Sequence, residues 1–228
     1  MKLAYQKYPS KQATDSIMIF FHGYGDSAEG FGHIVYELYE GLPTTTFYFV
    51  NAPLELFPGG YGWFEIAEEY FTHIGKGIAE MHDLLHDMIG SAKDVLPAIH
   101  VLTQKICVAE NIGLDRIIYA GFSQGGLMAL LSGLTSETAG IVAISSVPIT
   151  YGRNFTKEEI KNKPAILLTH STGDTIVPFA CFEANKSALS EAEIKMEEKI
   201  LYGLDHNYSI NKEIIDSLID FSIRCTGR

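Results

Sequence analysis

Short apolar runs alternate with longer segments of helical periodicity along this chain, and this alternation restricts the fold more than any other feature. The apolar runs are too short for helices. Most are continuous in hydrophobic residues, which is typical of strands covered on both faces in a parallel sheet. The predicted strands are Ser16–Phe21, Thr46–Val50, Arg116–Ala120, Gly140–Ser145, Pro164–Thr169 and Lys195–Leu201.

The segments between these strands carry apolar residues on one face, as amphipathic helices do. Gly113 is expected to cap the helix that contains Cys107. Alternating strands and helices predict a single α/β domain over residues 1–228, with a mostly parallel central sheet and helices on both faces. Active residues should then lie in loops at the carboxyl ends of the strands. The predicted helices cover 78–89, Val95–Cys107, Gln124–Leu131, Phe179–Leu189 and Asn211–Ile223.

Composition narrows the class of protein. The chain has 228 residues, 46% of them hydrophobic, and a net charge of −11, which argues against nucleic acid or an anionic membrane surface as a main partner. No apolar run approaches the roughly 20 residues that span a bilayer, and the first residues resemble no signal peptide. Cys107, Cys181 and Cys225 are widely spaced, which argues against a disulfide framework or a zinc site. We therefore expect a cytoplasmic protein without a stable membrane anchor.

The segment "DRIIYAGFSQGGLMALLSGL" places one serine, Ser123, between a predicted strand and a predicted helix. In a sharp turn there, side chains two positions before and after the serine would clash, and glycines at 121 and 125 remove that clash. The turn would expose the Ser123 hydroxyl, and the backbone N–H of Gln124 would point the same way as an oxyanion donor. The alternative is a glycine-rich turn without chemistry.

A serine hydroxyl needs a base, normally a histidine, and the histidine needs an orienting acid. In a fold of this kind the chain order is serine, acid, histidine. Among the eight histidines only His170 and His206 follow Ser123. His170 precedes the candidate acid, so His206, in "LYGLDHNYS", is the predicted base.

Asp174 is the predicted acid. It lies in "THSTGDTIVP", in the loop after a predicted strand, where Gly173 and Pro178 indicate a fixed turn. Asp205 adjoins His206, but neighbouring residues in an extended loop usually project apart, so we interpret Asp205 as surface charge. A turn aspartate that bonds its own backbone and an exposed loop histidine are the alternatives for the pair.

A second oxyanion donor is expected in the loop after the first predicted strand, "HGYGDSAEGFG". Gly23 and Gly25 would let the backbone fold back over the site, which makes the N–H of Tyr24 the predicted donor. His22 is expected to pack under this loop and bond the backbone rather than take part in catalysis.

Five segments, "FFHGYGDSAEGF", "GWFEI", "DRIIYAGFSQGG", "STGDTIVP" and "YGLDHNYS", together resemble the phospholipase/carboxylesterase family of α/β-hydrolases, which includes the acyl-protein thioesterases. The resemblance implies an α/β-hydrolase fold with little or no cap and no metal or organic cofactor. It also implies hydrolysis of carboxylic esters, or of thioesters of long acyl chains on protein cysteines. Ser123, Asp174 and His206 would be the triad, and the N–H groups of Tyr24 and Gln124 the oxyanion hole.

Two further features bear on substrate binding. Trp63 lies in "GWFEI", where the family has a tryptophan near the substrate cleft, and a core aromatic is the equal alternative. The segment "EEYFTHIGKGIAEMHDLLHDMIGSAKD" is longer than the family pattern and carries an apolar stripe. The favoured interpretation of the stripe is an ordinary helix packed on the sheet, and the alternative is one wall of an acyl groove or a small lid. Its residues are Met81, Leu84, Leu85 and Met88.

Several functions share this constellation. The substrate could be an acyl ester or thioester of a small molecule, a lipid or a protein. The rivals are a short-chain carboxylesterase on small metabolite esters, a peptidase or lactone hydrolase of the same fold, and a catalytically silent ligand-binding protein. No triad member is missing, which argues against the last. Either a monomer or a homodimer is compatible with the sequence.

Overall fold

The computed structural model of the chain describes residues 1–66, 91–149, 157–207 and 211–227. In these residues seven strands form one sheet, and two further strands form a hairpin. The strands are β1 (Tyr5–Tyr8), β2 (Ser16–Phe21), β3 (Thr45–Val50), β4 (Leu54–Phe57), β5 (Gly60–Gly62), β6 (Ile117–Phe122), β7 (Gly140–Ile144), β8 (Ala165–Ser171) and β9 (Met196–Leu201).

The seven-stranded sheet has the order β1-β3-β2-β6-β7-β8-β9, and β4 pairs with β5 in the hairpin. Every neighbouring pair in the large sheet is parallel except β1 with β3. The helices are α1 (Ala28–Gly32), α2 (Val35–Leu38), α3 (Leu96–Glu110), α4 (Gln124–Thr135), α5 (Phe179–Glu191) and α6 (Lys212–Thr226). Two short 3₁₀ turns cover Leu114–Arg116 and Lys157–Glu159.

Helices cover both faces of the sheet. Successive strand residues point to opposite faces, so Ile17 and Ile19 of β2 join a core cluster that includes α3, α4 and α5. Met18 and Phe20 join a second cluster that includes α1, α2 and α6. Burial on both sides explains why β2 is apolar at nearly every position. The predicted architecture, a mostly parallel sheet with helices on both faces, is confirmed.

The six predicted strands are present, each with ends within two residues of the prediction. The predicted cap at Gly113 is wrong: Asn111 ends α3 with a φ of 56°, and its N–H bonds the carbonyls of Cys107 and Val108. Asparagine tolerates this left-handed conformation better than most residues with a side chain. The predicted helix over 78–89 lies outside the described residues.

The elements that sequence analysis missed are short or polar. β1 has the sequence YQKY and is mostly exposed, so it shows no apolar pattern. The hairpin strands β4 and β5 and the short helices α1 and α2 are likewise too brief for a periodicity to appear.

Parallel strands bring their carboxyl ends to one edge of the sheet. The loops that follow β2, β6, β8 and β9 at this edge carry Tyr24, Ser123, Asp174 and His206 respectively. Among the helices that can be described, none combines the length and hydrophobicity needed to cross a bilayer.

Candidate active site

Ser123 occupies a strained turn between β6 and α4. Its backbone has φ 56° and ψ −118°, a combination that residues with a side chain rarely adopt. The Ser123 N–H donates to the carbonyl of Ile144 at 2.8 Å, and the Gly126 N–H donates to the carbonyl of Ser123 at 3.0 Å. These bonds hold the turn against the end of β7 and the first turn of α4.

The glycines on either side of Ser123 are required by close backbone contacts. A Cβ atom at position 121 would lie 2.0 Å from the carbonyl oxygen of Gly125. A Cβ atom at position 125 would lie 2.1 Å from the carbonyl oxygen of Phe21. The turn is therefore open only to residues without a side chain at these two positions.

The three residues that the sequence singles out lie in hydrogen-bonding distance of one another. The Nε2 atom of His206 is 3.0 Å from the Ser123 hydroxyl, and its Nδ1 atom is 2.7 Å from Oδ2 of Asp174. The Asp174 carboxylate can only accept, so Nδ1–H of the neutral ring donates a hydrogen bond to it and Nε2 faces the hydroxyl unprotonated. The imidazole can then accept the serine proton.

Asp174 is buried and accepts hydrogen bonds on both oxygens. Oδ1 accepts from the N–H groups of Ile176 at 3.0 Å and Val177 at 2.8 Å, while Oδ2 accepts from Ser145 and His206, both at 2.7 Å. Burial by itself raises the pKa of Asp174, but the bonds from His206, Ser145 and Val177 outweigh it and hold that pKa below its usual value. The carboxylate is therefore ionised at neutral pH.

His170 supports the acid turn from beneath. Its Nε2–H donates to the carbonyl of Val177 at 2.8 Å and lies 3.6 Å from Oδ2 of Asp174. Burial lowers the pKa of His170, which favours the neutral ring. Of the two histidines, His206 is the one whose ring lies within hydrogen-bonding distance of the serine hydroxyl.

The loop after β2 reaches the serine through Gly23. A Cβ atom at position 23 would lie 3.6 Å from the Cβ atom of Ser123. His22 accepts the N–H of Ala52 on Nε2 at 3.1 Å and therefore donates from Nδ1 to the carbonyl of Gly23 at 2.7 Å. His22 thus bonds the backbone, in agreement with the sequence-based expectation.

A cavity of about 230 Å³ opens beside the Ser123 hydroxyl. Tyr24 and Gln124, the two residues expected to supply oxyanion donors, both border it, together with His206. Most of its remaining wall is apolar, so it can accept the hydrocarbon part of an acyl group. The apolar lining residues are Phe64, Ile66, Phe122, Val147, Ile176 and Val177.

Trp63 is 1% exposed and lies in the core rather than in the cavity wall. Its indole N–H donates to the carbonyl of His22 at 2.9 Å. Its ring packs edge-on against the ring of Phe21, with 5.1 Å between the ring centroids. The structure therefore favours the core alternative for Trp63, and Phe64 and Ile66 line the cavity instead.

The other residues proposed from sequence to bind substrate cannot be placed. Met81, Leu84 and Leu85 lie outside the described residues. Within the described ranges, no group of three or more histidine, cysteine or acidic side chains is arranged to hold a metal ion. The three cysteines are free thiols, Cys181 buried and Cys107 and Cys225 partly buried.

Two side chains with a structural part in this site were missed by sequence analysis. The Gln124 side chain accepts the N–H of Trp63 and donates to the carbonyl of Phe64, both at 2.7 Å. Ser145 donates to Asp174 from the end of β7. The available signal was slight: each is a polar residue at the border of a buried apolar segment.

Comparison with known proteins supports this assignment of the fold and the family. The chain is 26% identical over 232 residues to acyl-protein thioesterase 1 of Neurospora crassa, covering 93% of this chain and 88% of that relative. It is 28% identical over 208 residues to carboxylesterase SOBER1 of Arabidopsis thaliana, covering 87% of this chain and 86% of that relative.

Solved structures share the fold. The crystal structure of esterase PE8 superposes with a TM-score of 0.82 at 24% identity, covering 99% of this chain and 100% of that one. The crystal structure of SOBER1 from Arabidopsis thaliana superposes with a TM-score of 0.72 at 24% identity, covering 93% and 99%. These likenesses confirm the expected α/β-hydrolase fold. The model of the phospholipase/carboxylesterase family matches residues 7–223, nearly the whole chain, and the protein therefore belongs to that family.

Proposed function

We propose that the protein is a serine hydrolase that cleaves carboxylic esters or thioesters through an acyl-enzyme on Ser123. One observation carries the proposal: the continuous chain of hydrogen bonds from the Ser123 hydroxyl through His206 to Asp174, at 3.0 Å and 2.7 Å. Ser123 and His206 border a mostly apolar cavity of about 230 Å³. A serine without such a base would be a poor nucleophile at neutral pH.

In the first half-reaction the Ser123 oxygen attacks the acyl carbonyl carbon while Nε2 of His206 takes the hydroxyl proton. The Asp174 carboxylate stabilises the resulting imidazolium. The carbonyl π electrons move to its oxygen, and the N–H groups of Tyr24 and Gln124 are the proposed donors to that oxyanion. The Gln124 N–H suits this part because it lies at the N-terminus of α4.

Collapse of the tetrahedral intermediate breaks the bond to the leaving oxygen or sulfur. The imidazolium of His206 gives its proton to the leaving alkoxide or thiolate. In the second half-reaction water attacks the acyl-enzyme, His206 takes a water proton, and the Ser123 oxygen leaves with that proton as the free acid is released. These steps need no metal or organic cofactor.

The names of the relatives support both bond types. One similar protein is named an acyl-protein thioesterase and another a carboxylesterase, and the mechanism above serves either leaving group. We therefore propose an acyl ester or thioester as substrate, carried by a small molecule, a lipid or an acylated protein. We expect the enzyme to act in the cytoplasm, without a stable membrane anchor, as a monomer or a homodimer.

A fluorophosphonate probe tests the proposal. We expect the probe to label Ser123, as located by peptide mapping, and Ser123→Ala to lose labelling together with at least about 10³-fold of kcat on p-nitrophenyl esters. Ser146→Ala is the control, because that buried hydroxyl bonds the carbonyl of Val147 instead. Wild-type turnover in Ser123→Ala would refute the proposal, and an unlabelled but folded wild type would favour a ligand-binding protein.

Short-chain carboxylesterase activity is the second candidate, favoured by the modest volume, about 230 Å³, of the described cavity. A rate series on p-nitrophenyl esters from acetyl to palmitoyl, run beside an S-acylated peptide, separates the two. Activity confined to acetyl and butyryl esters would establish the short-chain candidate. Activity on the S-acylated peptide and on long-chain esters would exclude it.

A further inference from the structure

Ser145, the residue directly after β7, is fully buried and has a backbone conformation that is unusual for a residue with a side chain. Its φ is 46°, in the left-handed region that favours glycine, and its exposed fraction is 0%. A residue with a side chain persists in this region only where its surroundings hold it there, and such positions cluster at functional sites.

The strained conformation aims the Ser145 hydroxyl at the acid of the proposed triad. The Ser145 N–H donates to the carbonyl of Thr169 at 2.9 Å, which anchors the residue to β8. The hydroxyl then donates to Oδ2 of Asp174 at 2.7 Å. This is the same oxygen that accepts from Nδ1 of His206.

The last residue of β7 also bonds the turn that carries the nucleophile. The carbonyl of Ile144, the residue before Ser145, accepts the N–H of Ser123 at 2.8 Å. Two consecutive residues thus bind the turn that presents Ser123 and the carboxylate that orients His206. The spacing between nucleophile and acid is therefore set partly through this one peptide segment.

We propose that Ser145 is a positioning residue of the hydrolase, whose hydroxyl holds Oδ2 of Asp174 in line with His206 and disperses the charge of the carboxylate. The inference rests on the proposed function. Oδ1 is held by the N–H groups of Ile176 and Val177, whereas Ser145 and His206 share Oδ2. Without the hydroxyl, Oδ2 loses one of its two donors, so the carboxylate can rotate about its Oδ1 contacts. Oδ2 then also keeps more of its negative charge beside the imidazolium.

The groups around Asp174 allow this effect to be read from a pH profile. In the described residues, the titratable side chains that face Asp174 are His206, His170 and Cys181. Burial lowers the pKa of His170 and raises the pKa of Cys181 to about 12, so both favour their neutral forms at neutral pH. The acidic limb of kcat/KM then reports the pair formed by His206 and Asp174.

Two substitutions separate the hydroxyl from the backbone strain. Ser145→Ala removes the hydroxyl and keeps a side chain at a positive φ, whereas Ser145→Gly removes the hydroxyl and the strain together. We expect both variants to lose about 10-fold or more in kcat/KM on p-nitrophenyl butyrate. We expect the acidic limb of both to move to higher pH by about half a unit, because a more concentrated carboxylate charge favours the imidazolium.

Stability provides the contrast. Ser145→Gly should unfold at a higher urea concentration than Ser145→Ala, although the two share the same kinetic defect. Ser146→Ala is the matched control, because the hydroxyl of this buried neighbour donates to the carbonyl of Val147 at 2.8 Å. The acidic limb of its kcat/KM profile should stay at the wild-type pH. If Ser145→Ala is too unstable to assay, Ser145→Gly alone carries the test.

The inference is overturned if Ser145→Gly keeps the wild-type kcat/KM and acidic limb, since Ser145 would then have only a structural part. Labelling of wild-type Ser123 by the fluorophosphonate probe distinguishes this outcome from failure of the proposed function. A labelled, Ser123-dependent enzyme with unaffected Ser145→Gly kinetics refutes the positioning residue alone. Loss of Ser123 dependence refutes the hydrolase itself.

Discussion

The α-carbon of Gly125 packs against the carbonyl oxygen of Phe21, with space for no side chain between them. A Cβ atom at position 125 would come within 2.1 Å of that oxygen. Gly125 lies in the first turn of α4 and Phe21 ends β2, so the contact joins the helix after the nucleophile to the strand before the loop of Tyr24. Both proposed oxyanion donors therefore depend on this contact for their spacing.

Gly125→Ala should destabilise the fold and reduce activity together. The clash is with backbone, which cannot swing aside, so we expect a loss of at least about 2 kcal/mol in the free energy of unfolding. Urea unfolding followed by fluorescence measures it. Gly113→Ala is the control, because Gly113 is exposed and a Cβ atom there would meet only the end of the Asp115 side chain, which can change rotamer. Equal unfolding midpoints for the two variants would contradict the structure.

Gln124→Leu should show that the side chain of Gln124 has a structural task separate from its backbone N–H. The variant leaves the N–H of Trp63 and the carbonyl of Phe64 without their 2.7 Å partners in a buried position. Each unsatisfied group costs about 1–3 kcal/mol. Because Phe64 lines the cavity, KM for p-nitrophenyl butyrate should rise more than kcat falls.

The control for this variant is Gln104→Leu, on the exposed face of α3. It should leave both the unfolding midpoint and KM close to wild type. If Gln124→Leu lowers kcat steeply at unchanged KM, the side chain acts on the reaction itself and the structural interpretation fails.

His22→Leu should weaken stabilisation of the oxyanion. The Nδ1–H of His22 holds the carbonyl of Gly23, and in a trans peptide the N–H of Tyr24 points opposite to that carbonyl. Loss of this bond lets the peptide plane turn, so we expect kcat to fall about 10- to 100-fold, less than the loss of a whole donor. A boronic acid that mimics the tetrahedral intermediate should bind more weakly by a similar factor.

Exposed His33 provides the matched control, since His33→Leu removes an imidazole from the surface near the same loop. It should change neither kcat nor inhibitor binding. Retention of wild-type boronate affinity by His22→Leu would show that Gly23 is held by other contacts.

Buried histidines should make the protein less stable as the pH falls. Burial lowers the pKa of both His22 and His170 below the value of about 6.5 that an imidazole has in an unfolded chain. Below that pH the unfolded state binds more protons than the native state, so the free energy of unfolding decreases on acidification. The slope is at most about 1.4 kcal/mol per pH unit for each histidine. Asp174, with its lowered pKa, adds a further loss only below about pH 4.

Urea unfolding at about pH 7.5, 6.5 and 5.5 measures this slope. His170→Gln should make the decline shallower, whereas His33→Gln, which removes an exposed ring, should leave it unchanged. An identical decline in wild type and His170→Gln would mean that other groups govern the acid sensitivity.

Local rules made much of the fold predictable from the sequence. Continuous apolar runs predicted the strands of the sheet interior because a strand buried on both faces has no place for polar residues. Chain order alone was the reason to predict His206 rather than His170 as the base. Polar or very short elements such as β1 left no such pattern, because an exposed edge strand carries polar side chains that face water.

The sequence by itself determined that Ser123 would lie on a sharp strand-to-helix turn. The steric requirement for glycine at 121 and 125 acts over a few residues, so the glycines themselves reveal it. Only the tertiary structure decided that Trp63 is buried and that Ser145 reaches Asp174. The latter contact spans 29 positions and depends on the register that pairs Ile144 with Thr169 in neighbouring strands. A serine in the sequence shows that a hydroxyl is present but not which group it will bond, because the bonding partner depends on how separate strands align.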